Sequence, residues 1–134
     1  MGDDKKNILI TDDRDVTHKI LKSLICEIYP AEKINFFHAK NGNEALKIIN
    51  STNLDLVLLD WIMEEKEGIE VLKEVKHDYN GKYDSLPIIM VTSNNTKYDF
   101  LEATDNGAYY YIVKPVLGKN AQKLKDVIKD ILKI

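Results

Sequence analysis

The chain is poor in the features that announce whole classes of function. It has one cysteine, Cys26, so no internal disulfide can form, and the apolar helical pattern around it makes the thiol a small core or boundary residue. It has no basic excess: 19 Lys and Arg against 22 Asp and Glu leave a net charge of −3. Binding a phosphate backbone needs a positive surplus, so direct nucleic-acid binding is not expected. No apolar run approaches the ~20 residues of a membrane span. The start, Met1-Gly2-Asp3-Asp4-Lys5-Lys6, lacks the apolar region of a signal peptide. We therefore expect no membrane partner and a cytoplasmic location. Also missing are Gly-x-Gly-x-x-Gly, a P-loop and a serine in a nucleophile elbow, which removes support for nucleotide binding and serine hydrolysis. His18, His38 and His77 lack metal-ligand spacing and read as surface or element-boundary residues. There is no internal repeat, low-complexity tract or interdomain linker. Residues 1–134 read as a single domain, with its core at about 7–133 and no second domain after the last helix.

What is present is ordinary in bulk, 44% hydrophobic and 31% charged, and specific in arrangement. Four short apolar runs each end in a polar residue suited to phosphate or a divalent metal. Ile8-Leu9-Ile10-Thr11 meets Asp12-Asp13, and Leu56-Val57-Leu58-Leu59 meets Asp60. Ile88-Ile89-Met90-Val91 meets Thr92, and Tyr110-Tyr111-Ile112-Val113 meets Lys114-Pro115. Such runs are strands buried on both faces.

Helical spacing fills the intervals. Val16, Ile20, Leu21, Leu24, Ile25 and Ile28 form a first stripe, with Asp13 or Asp15 able to cap it and Pro30 closing it. Ile34-Asn35-Phe36-Phe37 is a mixed strand near an edge. Asn41-Gly42 turns into a short helix with Ala45, Leu46, Ile48 and Ile49. Gly68 opens a third helix carrying Ile69, Leu72 and Val75, and His77 to Pro87 is the longest loop. A weak helix surrounds Phe100, Leu101 and Ala103, with Gly107 placed as its C-cap. The fifth strand spans Tyr109 to Val113. Leu117, Ala121, Leu124, Ile128 and Ile131 predict a last, strongly amphipathic helix. Five strands alternating with five helices give an α/β, doubly wound parallel sheet with helices on both faces.

Ligands of such sheets bind beyond the carboxyl ends of the strands. Alone, Asp12-Asp13 would cap the next helix, Lys114 would reach solvent, and Thr92 would be a common strand residue. Asp60, ending a wholly apolar strand, changes this. Three carboxylates on one rim repel unless a cation joins them. Hard oxygen donors suit Mg²⁺, and Lys114 would pair with a carboxylate or a phosphoryl group.

In these pieces, together with Leu58-Leu59-Asp60-Trp61-Ile62-Met63, Met90-Val91-Thr92-Ser93 and Gly107 to Pro115, the chain closely resembles the receiver domain of two-component response regulators, from about Asn7 to the last helix. The resemblance implies a flavodoxin-like (βα)5 fold with strand order 2-1-3-4-5. Asp60 would accept a phosphoryl group from a histidine kinase or phosphotransfer protein. Asp12, Asp13, Asp60 and the carbonyl of Ile62 would hold Mg²⁺. Thr92 and Lys114 would contact phosphoryl oxygens, and Tyr111 would be the aromatic switch residue. Also implied are a cis Lys114-Pro115 bond, a downstream protein target on the fourth helix, fifth strand and fifth helix, and a phosphorylation-dependent homodimer.

Several positions depart from the family pattern. Glu64 replaces the usual proline within Glu64-Glu65-Lys66-Glu67, either a solvated loop face or a change in loop flexibility or kinase contact. Asn106 replaces a small alanine. Ile62 and Asn94 occupy the positions that tune phosphoryl loss, and an apolar Ile62 cannot orient an attacking water, so slow self-dephosphorylation is expected. Tyr98, Tyr109, Tyr110 and Tyr111 serve either core packing or the output face. The lysines of the last helix read as a solvated face. On this reading the protein is a switch without turnover of a separate substrate, standing alone or cut from a longer regulator or hybrid kinase. The rivals are a haloacid-dehalogenase-like Mg²⁺ phosphohydrolase, which would show Asp-x-Asp where Ile62 stands, and a flavodoxin-like cofactor binder, disfavoured by the acidic rim.

Overall fold

Each apolar run forms a strand because both of its faces can be buried at once. The structure, a computed structural model, describes residues 5–134; residues 1–4 of the polar N-terminal segment lie outside them. The strands are β1 (Lys6–Thr11), β2 (Ile34–Ala39), β3 (Leu56–Leu59), β4 (Ile88–Thr92) and β5 (Tyr110–Val113). They pair in parallel in the order β2-β1-β3-β4-β5. Between them run α1 (Asp15–Cys26), α2 (Gly42–Ser51), α3 (Gly68–His77) and α4 (Lys97–Asp105), and α5 (Gly118–Leu132) closes the series. This is the flavodoxin-like topology.

The side-chain period of two sorts each strand between two cores. Leu9, Val57, Leu59, Ile88 and Met90 pack against α2, α3 and Ala103 of α4. Ile8, Ile10, Leu56, Leu58, Ile89 and Val91 pack against α1 and α5. Every residue of β3 is fully buried, as its central place requires.

Four readings around the helices need correction. The α1 stripe is rotated: Val16 and Ile20 are 49% and 43% exposed, while Thr17 and His18 are buried in their place. The N-cap is Arg14, with no side-chain cap; neither Asp13 nor Asp15 takes that role. Leu117 lies outside the α5 stripe. It is the extended N-cap residue, 68% exposed, and Leu132 completes the buried row with Leu124 and Ile128. Pro30 acts one step later than expected, preceding a 3-10 turn, Ala31–Lys33, that leads into β2. The Lys114-Pro115 bond is cis.

Close backbone approach explains Gly68. A Cβ there would lie 1.8 Å from the carbonyl oxygen of Asp60. The first turn of α3 therefore rests directly on the loop leaving β3, tied by Gly68 N–H to the Trp61 carbonyl at 2.8 Å.

Candidate functional site

Sheet register brings the rim together. Thr11 pairs with Leu59, and the ladder runs one residue further: Asp60 N–H donates to the Thr11 carbonyl (3.0 Å), and Asp12 N–H to the Ala39 carbonyl (3.1 Å). On the other side Thr92 pairs with Val113, and Lys114 N–H donates to the Thr92 carbonyl at 2.7 Å. Residues 12, 60, 92 and 114 are thus fixed beside one another by backbone pairing before any side chain is considered.

The side chains complete the site. Carboxylate oxygens of Asp12, Asp13 and Asp60 all lie within 4.8 Å of one another. Asp12 and Asp60 are buried and Asp13 is exposed. The Lys114 ammonium donates to Asp12 Oδ2 at 2.7 Å and Asp60 Oδ2 at 3.1 Å, so one cation bridges the two buried carboxylates. Trp61 N–H donates to Asp60 Oδ1 (2.7 Å), and Arg14 N–H to Asp12 Oδ1 (2.8 Å). Beside Asp60 an open pocket of about 620 Å³ is lined by Val16, Ile20, Ile62 and Leu117 as well as the polar rim.

Electrostatics follow from this crowding. Burial raises the Asp60 pKa above the usual carboxylate range; Lys114 opposes the rise and Asp12 adds to it. Burial disfavours the Lys114 ammonium, but Asp12 and Asp60 outweigh it and hold its pKa above the ordinary lysine value. Three carboxylates against one ammonium leave the rim net negative. The donor set is all hard oxygen, which fits Mg²⁺ and gives no soft or imidazole ligand that would favour a late transition metal.

The other expected site residues fall into two groups. Thr92 is fully buried, and its Oγ1 accepts from Asn94 N–H at 3.2 Å. Tyr111, half-buried, donates its hydroxyl to the Asn94 carbonyl at 2.9 Å and stacks edge-on against Phe100 of α4. Burial, with Asp99 and then Asp60, pushes its pKa up to about 12, so the phenol stays a donor. Ile62 is 52% exposed at the pocket mouth.

Comparison with known proteins decides the family. Residues 8–129 match the response regulator receiver domain. The chain belongs to that family. The receiver is 35% identical to the chemotaxis protein CheY of Pseudomonas aeruginosa, over 92% of this chain and 94% of that one. It is 30% identical to the chemotaxis protein CheY homolog of Campylobacter jejuni, over 93% and 91%. A two-component response regulator from Clostridium difficile superposes with a TM-score of 0.79 at 27% identity, covering 96% of this chain and 97% of that one.

Two contributors to this receiver's site are not evident in the sequence. Gly68 reads as a helix start, whereas its missing side chain admits the Asp60 carbonyl. His18, expected at a surface or boundary, is 7% exposed; its Nε2 lies 2.7 Å from the Asp12 carbonyl and its Nδ1 2.7 Å from His38 Nδ1. The one readable signal for His18 is its place inside the apolar stripe of α1. Glu64 and Glu65 form the expected solvated face, and Asn106 is the C-cap of α4.

Proposed function

We propose that this receiver takes a phosphoryl group on Asp60 from a phosphohistidine of a kinase or phosphotransfer protein and converts it into a changed protein-binding face. The observation that carries the reading is the Lys114 ammonium bridging the buried Asp12 and Asp60 carboxylates, with Asp13 alongside and an open pocket above.

In the transfer, the P–N bond of the donor imidazole breaks as a P–O bond forms to the Asp60 carboxylate. Such a step needs alignment and charge neutralisation more than covalent help. Asp12, Asp13, Asp60 and the Ile62 carbonyl would hold Mg²⁺, which when bound neutralises charge on the phosphoryl oxygens. Trp61 N–H orients Asp60 by holding one of its oxygens. Lys114 trades its Asp60 contact for a phosphoryl oxygen while keeping Asp12.

The acyl phosphate adds negative charge at the rim and so draws on the remaining donor, the Thr92 hydroxyl. Rotating the Thr92 side chain to bring its O–H to the phosphoryl group moves Oγ1 away from the Asn94 N–H it accepts from, and the Asn94 carbonyl in turn accepts from Tyr111. The event is a local charge change biasing a two-state element. Its readout face carries exposed Tyr98, Phe100, Leu101 and Tyr109, suited to a downstream protein target in the cytoplasm.

The test is treatment with acetyl phosphate and Mg²⁺ followed by intact mass. The expected result is a gain of one phosphoryl group, lost in Asp60→Asn and after chelation. No gain under any condition would leave a receiver fold without the chemistry.

A further inference from the structure

We propose that His18, backed by His38, is a positioning residue of the acidic site: it holds the Asp12 backbone and thereby sets how tightly the Asp12–Asp13–Asp60 cluster binds a divalent cation. This rests on the reading of that cluster as a Mg²⁺ site.

Asp12 is held at every polar atom. Its N–H goes to Ala39, Oδ1 to the Arg14 amide and Oδ2 to Lys114, and its carbonyl accepts from His18 Nε2. A carbonyl can only accept, so His18 carries its proton on Nε2. In a neutral His18 the Nδ1 is then an acceptor, and the nitrogen facing it, His38 Nδ1, is the donor. The relay therefore has one direction, from His38 to His18 to Asp12. His38 is itself seated by stacking on Phe36, with centroids 6.4 Å apart and planes 24° from parallel.

Two features make this a positioning device. The N-cap residue Arg14 offers no side-chain bond to the first turn of α1, so the bond from His18 back to Asp12 ties that helix to the acidic loop. Without it, the Asp12 carbonyl loses its only hydrogen-bond partner among the described residues, beside the carboxylate that must meet the cation. The pair is not a chelate. With nitrogens 2.7 Å apart and ring centroids only 4.9 Å apart, the two Nδ1 atoms meet head-on, leaving no space for a metal between them. Loss of a hydrogen bond that orients a metal-ligating residue typically changes metal affinity by 10- to 100-fold.

The experiment is a Mg²⁺ titration followed by the fluorescence of Trp61, whose amide is bonded to Asp60, with thermal melting of each metal-free variant alongside. His18→Leu removes the donor; His18→Gln returns an N–H near the place of Nε2. His38→Leu removes the backing donor; His38→Asn returns one near Nδ1. His38 is exposed on the edge strand β2, so its pair remains informative even if His18→Leu fails to fold. The expected result is Mg²⁺ binding weakened about tenfold in His18→Leu and about threefold in His38→Leu. Both amide variants should return most of the affinity. If His38→Leu binds as the wild type does, or His38→Asn is as weak as His38→Leu, the positioning role is overturned. A wild type that binds no Mg²⁺ overturns the reading of the cluster, and this inference with it.

Discussion

Asp60 concentrates the chemistry because it is buried next to a second buried carboxylate. Its raised pKa has a definite consequence for stability. The folded protein takes up the Asp60 proton at higher pH than the unfolded chain. Stability therefore falls as pH rises from the unfolded carboxylate range through the raised folded value, and above that value the ionised group is a standing cost. Asp60→Asn should raise the metal-free melting temperature at neutral pH, and the gain should shrink towards zero in acid. Melts over about pH 3 to 8 check this, and an Asn variant less stable at neutral pH would count against it. Ile62 gives a kinetic prediction at the same scale. Half-exposed, it lines the same pocket as Asp60 and offers no group to orient an attacking water. Ile62→Asn should shorten the phosphoryl lifetime several-fold, as followed by decay of the phosphorylated mass after donor removal. An unchanged lifetime would remove Ile62 from control of the signal.

At the scale of elements, the strands were legible because their burial on both faces leaves uninterrupted apolar runs, and the rim followed from where those runs stop. The helices were less so. The α1 stripe was misplaced because Val16 and Ile20 look like core residues, yet they line the pocket beside Asp60, an apolar role that periodicity cannot separate from packing. Leu117 matched the α5 period but lies one residue before the helix, with extended backbone. The contact between α3 and the β3 loop had no sequence signal at all, since a glycine at a helix start is ordinary. Its importance is testable. Gly68→Ala forces a methyl onto the Asp60 backbone carbonyl, which cannot swing aside as a side chain would. The expected cost is about 3 kcal/mol in denaturant unfolding, with reduced phosphoryl uptake because the loop carrying Asp60 and Ile62 must shift. Wild-type uptake in a stable Gly68→Ala protein would show that the loop tolerates that shift.

Over the whole molecule, the proposed switch requires that a charge change at one rim reach a surface on α4 and β5. The continuous route in this structure is short: Thr92 Oγ1 to the Asn94 amide, and the Asn94 carbonyl to the Tyr111 hydroxyl, whose ring meets Phe100 on α4. Asn94 is thus a backbone link that engages Thr92 and Tyr111 from its two ends. Ala103 is the one buried residue of α4, so few apolar contacts oppose a shift of that element. Capture and transmission should then be separable. Thr92→Val keeps the shape and burial of the side chain but removes the hydroxyl. It should still take a phosphoryl group on Asp60 in near-full yield, because Lys114 and the acidic cluster remain. Phosphorylation should no longer alter amide exchange along Lys97–Asp105 or around Tyr109, whereas in the wild type both regions should change. Exchange measured by mass spectrometry on the two proteins, with and without acetyl phosphate, decides the point. A Thr92→Val protein whose α4 responds as the wild type does would mean that the signal leaves the rim by another path, and would overturn the proposal of Tyr111 as the switch residue.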